Sequence, residues 1–163
     1  MHPYAYDIME QMVKQTGISK EDYDSPTCFD VGSYNVNGTF KPIIDTLGFD
    51  YRGIDIEEGP NVDIVVPAEG EWTENFGSAP LVISGNALEH VEDMIGFMRN
   101  IASISSDYVL IQVPNRRDEH KHPIDCWRVF PDGLKYLFKE SGIAHIDSGI
   151  FYWDTWGIGR VIR

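Results

Sequence analysis

At 163 residues the chain has room for one domain with a buried core, and 42% apolar against 24% charged residues excludes a disordered or fibrous class. Against 13 Lys+Arg stand 26 Asp+Glu, a formal net charge of −13 that repels a phosphate backbone and argues against a nucleic-acid partner. The acids, Glu57, Glu58, Glu69, Glu71, Glu74, Glu89, Glu92 and Asp93 among them, are spread along the chain and read as a solvated surface.

In chain order, Ala5, Ile8, Met9 and Met12 carry helical spacing and Gly17 marks a stop, so Tyr4 to Thr16 is expected to be an amphipathic helix. Asp22 to Pro26 is turn-prone. Thr27 to Val31 reads as a short strand running into the loop GSYNVNG. Phe40, Ile43, Ile44 and Leu47 predict a returning helix ended by Gly48. The runs Tyr51 to Ile56, Val62 to Val66, Leu81 to Ser84 and Tyr108 to Val113 are short and apolar, as strands covered on both faces are.

Only Glu57 to Asn61 separates the first two of these runs, too little for a crossover with its own helix, so the third strand is expected to be short, irregular or differently paired. Val91, Met94, Ile95, Met98 and Ile101 form another helical stripe. Leu134, Leu137 and Phe138 mark a later helix opened by Pro131 and closed before Gly142. His145 to Ile162 reads as two strands around Asp154 and Thr155, with Phe151, Tyr152, Trp153 and Trp156 filling core or an oligomer face. The alternation predicts a mostly parallel α/β sheet.

Cys28 and Cys126 lie far apart in no metal-binding spacing, so reduced thiols are expected. The N-terminus has no basic region followed by an apolar run, and no apolar stretch approaches spanning length; a cytoplasmic protein with no membrane partner is the expectation.

Asp30 and Gly32 stand at a strand end directly before a helix, where a glycine turn lets a ligand approach the backbone; a side chain at Gly32 is expected to fill that space. Twenty-three residues on, Asp55 ends the next strand, where a carboxylate can accept from both hydroxyls of a ribose. A dinucleotide fingerprint needs glycine where Tyr34 and Asn37 stand, which disfavours a nicotinamide-dependent oxidoreductase.

The runs FDVGSYNVNG, YRGIDIEEGPNVDIVVPAEGEW and LVISGNALEHVED resemble, in order and spacing, the class I S-adenosylmethionine-dependent methyltransferases, over about Cys28 to Val113. The resemblance implies a Rossmann-like sheet, mostly parallel with an antiparallel C-terminal strand and helices on both faces. It implies a single methyltransferase domain over 1–163, with an N-terminal helix and linker at 1–24 and the core at 25–163. It further implies S-adenosylmethionine as cofactor, held by Asp30, Gly32 and Ser33 at the methionine end, by Asp55 and Ile56 at the ribose, and with Asn86 flooring the site. Pro67-Ala68-Glu69 is similar to the adenine-contacting segment, with proline where aspartate is common, leaving the Ala68 backbone N–H to bond a ring nitrogen. Ser105-Ser106-Asp107 replaces the family's Pro-Gly-Gly turn.

His90, in SGNALEHVED, has two readings: a general base or acceptor-orienting group, and a residue that caps or packs at the start of the following helix. The segment 118–133, DEHKHPIDCWRVFPDG, follows a strand at the ligand-binding edge of the sheet. In it His122, Trp127 and Arg128 are candidate acceptor contacts, Arg128 gripping an anion and Trp127 stacking on a sugar or ring. The alternative pairs Asp125 with Arg128 to brace the loop and packs Trp127 in the core. Asp118, His120 and His122 offer a His-x-His pattern that lacks further ligands, so no metal is expected. The expected activity is methyl transfer to a small-molecule or saccharide-like acceptor, the sugar suggestion coming from similar loops in relatives associated with bacterial surface saccharides. The alternative is a methyltransferase-fold binding or scaffold protein without activity.

Overall fold

The computed structural model describes residues 3–72 and 77–162; Glu74, named among the surface acids, lies outside the described residues. Seven strands form one sheet: β1 Thr27–Val31, β2 Asp50–Asp55, β3 Ile64–Val65, β4 Ala79–Gly85, β5 Ser105–Pro114, β6 Ile143–Phe151 and β7 Asp154–Val161. Their spatial order is β3-β2-β1-β4-β5-β7-β6. The first five run parallel, and β7 lies antiparallel to both β5 and β6. The chain winds outward from β1 to β3 and then jumps back to β4, which makes the C-terminal edge of β1 and β4 the switch point where open α/β sheets hold ligands.

The helices α1 Pro3–Thr16, α2 Lys41–Leu47, α3 Met94–Ile104 and α4 Pro131–Glu140 cover the two faces. Strand alternation sorts the side chains between them. Cys28, Leu81, Ile83 and Leu110 pack with Met9, Met12, Ile43 and Ile44 from α1 and α2. Phe29, Val31, Val82, Val109 and Ile111 pack with Met98, Ile101, Leu134 and Phe138 from α3 and α4. Both faces of the central strands are thus dry, which is why they read as continuous apolar runs. No helix among the described residues is long and apolar enough to cross a membrane.

The structure refines four expectations. The segment 62–66 pairs parallel with β2, but only over Ile64 and Val65. The β2–β3 connection is instead held by Asp63, whose carboxylate accepts the Gly53 N–H at 2.8 Å. The stripe beginning at Val91 is helical only from Met94: Val91 is extended, and Asp93 caps α3 by accepting the Gly96 N–H at 2.9 Å. The C-terminal hairpin turns at Tyr152-Trp153, with Asp154 and Thr155 already buried in β7. Of the tail aromatics, only Trp156 reaches the core; Phe151, Tyr152 and Trp153 are exposed, and Tyr152 stacks on Tyr4 of α1 with ring centroids 4.2 Å apart.

Where a Pro-Gly-Gly turn was missing, α3 passes straight into β5 at Ser105. The Asp107 carboxylate there accepts the Tyr23 hydroxyl at 2.6 Å and pairs with Arg160 of β7. These groups line a surface cavity of about 260 Å³ at the opposite end of the parallel strands from the switch point.

Candidate active site

At the end of β1, Gly32 adopts φ +82°, and a Cβ built on it would lie 2.4 Å from the Cβ of Ala87 in the loop after β4. The glycine is therefore required by the packing of two loops and by its left-handed backbone, where the sequence suggested clearance for a ligand. The N–H groups of Gly32 and Ser33 both donate to the Ile54 carbonyl of β2, at 2.9 and 3.2 Å. Ser33 is buried, its hydroxyl bonded to the Asn61 carbonyl at 3.0 Å.

Asp30 is buried, and its carboxylate accepts a 2.6 Å hydrogen bond from the Tyr51 hydroxyl. That hydroxyl in turn accepts from Asn61 Nδ2 at 2.5 Å. Burial raises the Asp30 pKa to about 7, against the lowering effect of the Tyr51 bond. Asp55, at the end of β2, accepts the Tyr34 N–H at 2.9 Å on one oxygen and the Ile56 N–H at 2.7 Å on the other. Each oxygen keeps a further lone pair, the provision two hydroxyl donors need. Tyr34 folds back on the β2–β3 connection, its ring so close to Gly59 that a Cβ there would sit 2.1 Å from Cε2. Ile56 is exposed at this edge.

After β4, Asn86 takes φ 59° and anchors its backbone on the Gln112 carbonyl, while its side-chain Nδ2 is buried with no hydrogen-bond partner. A buried amide donor without an acceptor is rare in folded proteins and fits a polar ligand group at this spot. Ala68 and Glu69 are exposed in a loop held by Asn100 of α3, which donates to the Gly70 carbonyl and accepts the Trp72 N–H. The donor set along β1, β2 and β4 fits S-adenosylmethionine: acceptors for two hydroxyls at Asp55 and an unspent donor at Asn86.

Further along the same loop after β4, Leu88–His90 form one 3-10 turn. Glu89, assigned to the surface from its neighbours in sequence, is fully buried, and neither of its carboxylate oxygens has a hydrogen-bond partner. Burial pushes its pKa up to about 8. His90 does not cap α3, a task Asp93 performs; its Nδ1 lies 2.5 Å from the Ile124 carbonyl. Desolvation lowers its pKa.

The loop after β5 brings His120 and His122 to His90, with ring centroids 5.0 and 6.0 Å away. Asp118 contributes only its carbonyl, 3.1 Å from His120 Nδ1, so the Asp118-His120-His122 grouping does not form through side chains. At Arg128 the geometry takes the bracing alternative. Its guanidinium makes a two-pronged bond to Asp125 at 2.6 and 2.7 Å and donates to the carbonyls of Arg117, Asp118 and Trp127. With its donors directed at the protein, it braces the loop and leaves none pointing at an anion. The Arg128 pair in turn holds the Asp125 carboxyl well below the usual range. Trp127 is not in the core; it is exposed, its indole N–H donating to the Val91 carbonyl at 2.7 Å.

A methyltransferase-domain family profile matches residues 7–146, most of the chain. The chain belongs to this family and is a class I S-adenosylmethionine-dependent methyltransferase. No curated protein matches it in sequence. Among solved structures, a SAM-dependent methyltransferase from Aquifex aeolicus superposes with a TM-score of 0.68 at 13% identity, covering 99% of this chain and 94% of that one. Magnesium protoporphyrin IX methyltransferase from Synechocystis PCC 6803 with bound SAM gives 0.64 at 14% identity, covering 98% and 78%. The N-terminal domain of EvdMO1, in the presence of SAH and D-fucose, gives 0.67 at 14% identity, covering 99% and 84%. These likenesses establish the fold, and the sheet order and antiparallel C-terminal pair agree with it.

Proposed function

We propose that the chain, as one methyltransferase domain, transfers a methyl group from S-adenosylmethionine to a small-molecule acceptor of saccharide-like chemistry. The carrying observation is that the Asp55 carboxylate with spare lone pairs and the buried, unpartnered Asn86 amide stand at the ends of the two parallel strands that flank β1. In this reading Asp30, Gly32 and Ser33 shape the methionine end, Asp55 and Ile56 the ribose, Ala68 and Glu69 the adenine rim, and Asn86 the floor. Asp30 acts through its Tyr51 bond, by fixing the end of β1 against the start of β2.

Bound there, the cofactor supplies an electrophilic methyl group, so the protein's work is mainly to align an acceptor with it. His90 fits the acceptor side. A carbonyl can only accept, so the 2.5 Å contact with Ile124 places a proton on Nδ1 and leaves Nε2 as a lone pair for an acceptor hydroxyl. Its lowered pKa keeps that lone pair free at neutral pH. Trp127 and His122 line the acceptor side, exposed and able to stack on a ring. That the EvdMO1 domain was crystallised in the presence of D-fucose supports a sugar-like acceptor, and the net charge of −13 argues against nucleic acid.

Calorimetry with S-adenosylhomocysteine tests the cofactor half. Saturable binding in the wild type should weaken at least tenfold, about 1.4 kcal/mol, in a folded Asp55→Ala variant. Unchanged affinity there sinks the ribose assignment. Absence of binding in the wild type favours the alternative, a scaffold that keeps the fold without activity, for which the proline at position 67 is the motivating residue.

A further inference from the structure

Three acceptor groups face one another beside the proposed acceptor site. Glu89 Oε1 lies 3.5 Å from His90 Nε2 and 3.5 Å from His120 Nε2, and the three ligand atoms all lie within 4.8 Å of one another. Both imidazoles are oriented from behind. His90 Nδ1 is turned to the Ile124 carbonyl, and His120 Nδ1 to the Asp118 carbonyl at 3.1 Å and the Asp125 carboxylate at 3.4 Å. Those partners accept only, so each ring carries its proton on Nδ1 and aims the lone pair of Nε2 at Glu89. Arg117, the cation closest in character to a partner for Glu89, is taken by Asp154 at 2.9 Å. The Glu89 carboxylate is fully buried and unbonded.

From this arrangement we infer a divalent transition-metal site of the zinc type, with Glu89, His90 and His120 as its three protein ligands. Two donors about 2.0–2.1 Å from a tetrahedral zinc stand about 3.3 Å apart, so the two 3.5 Å separations from Glu89 need only a small contraction, and the two histidine nitrogens lie within 4.8 Å of each other. Nitrogen, nitrogen and carboxylate oxygen suit this class of ion better than calcium or magnesium. Histidine Nδ1 protons held by carbonyl and carboxylate acceptors are the outer support that metal-binding imidazoles have. Three protein ligands leave a position open for water or an acceptor hydroxyl. The inference rests on the methyltransferase reading only for that last role: His90 then holds the metal, and the acceptor is oriented through it.

The test is titration of chelator-treated, dialysed full-length protein with zinc chloride, followed by calorimetry, and with cobalt chloride, followed by its visible absorption. Expected are one ion per chain and, with cobalt, absorption typical of four or five ligands. His120→Ala, in a partly exposed loop position, should weaken zinc binding at least tenfold, as should Glu89→Gln, whereas His145→Ala on β6 should not. Should Glu89→Gln fail to fold, the His120 variant decides alone. Absence of stoichiometric binding, or equal affinity in His120→Ala, overturns the metal site and leaves the buried carboxylate to a proton. S-adenosylhomocysteine affinity is measured on the same samples. Its absence with zinc still bound would sink the methyltransferase role alone, and normal binding without zinc would sink the metal site alone.

Discussion

The Tyr51 hydroxyl, on β2, donates a 2.6 Å hydrogen bond to the buried carboxylate of Asp30, on β1. The two residues belong to adjacent parallel strands, so the bond ties the end of β1, which leads into Gly32, to the start of β2. A carboxyl placed in this setting prefers its proton, and the folded pKa of about 7 stands above the ordinary value of 3.8.

The pH dependence follows in sign. Between about pH 4 and 7 the folded chain holds a proton on Asp30 that the unfolded chain has released, so this group's contribution is fully present below pH 4 and is lost as pH rises toward 7. The shift from 3.8 to about 7 corresponds to about 4 kcal/mol at most. Asp30→Asn keeps an acceptor for Tyr51 and has no proton to lose. Melting temperatures of the two proteins at pH 5 and pH 8 should therefore differ more at pH 8, with the asparagine variant the more stable. A difference that does not change with pH contradicts the raised pKa.

Gly32→Ala is expected to cost roughly 2–5 kcal/mol, combining left-handed strain with overpacking against Ala87. Adding Ala87→Gly removes the 2.4 Å encounter but not the φ of +82°, so the double variant should recover part of the loss. Denaturant midpoints measure both. If the second substitution recovers nothing, the contact with Ala87 is not what fixes the glycine.

Much of the fold was legible because the central strands are buried on both faces and the helices on one, which writes two different periodicities into the chain. β3 was the weak point for the same reason: two residues at a sheet edge, with Val65 exposed, leave little pattern to find. In the candidate site, the loop glycine and the strand-end acid could be located, since Gly32 and Asp55 sit at positions fixed by local geometry. Glu89 could not. A charged residue in a short polar segment reads as surface, and its burial comes from the loop of 118–128 folding over it, where the Cys126 N–H bonds the Glu89 carbonyl at 2.8 Å. The available signal was indirect: histidines at 90, 120 and 122, separated in sequence but following adjacent strands.

Arg128→Lys should not be conservative. The planar fork satisfies Asp125 and three carbonyls at once, and an ammonium group cannot reproduce that geometry. A stability loss of roughly 1–3 kcal/mol is expected, with faster amide exchange or proteolysis across residues 117–128. S-adenosylhomocysteine affinity should stay the same, because the proposed cofactor groups stand at the ends of β1, β2 and β4. A large loss of cofactor affinity without a loss of stability would restore Arg128 as a direct ligand contact.

Asn86 offers the sharpest separation of stability from binding. Its φ of 59° is one that glycine adopts without strain, and its buried Nδ2 lacks an acceptor in the protein. Leaving a buried donor unpaired costs about 1–3 kcal/mol, which Asn86→Gly removes, against about 0.5–1 kcal/mol of added unfolded-state freedom. The variant should therefore be as stable as the wild type or more so. If the amide instead serves a bound cofactor, the same change should weaken S-adenosylhomocysteine by roughly threefold to tenfold, the worth of one neutral hydrogen bond. Gained stability with reduced affinity is the outcome expected of a residue kept for a ligand at the cost of the free fold. Thermal melts and calorimetry on one preparation give both numbers. Reduced stability together with unchanged affinity would show that Asn86 serves the turn after β4 and not the cofactor.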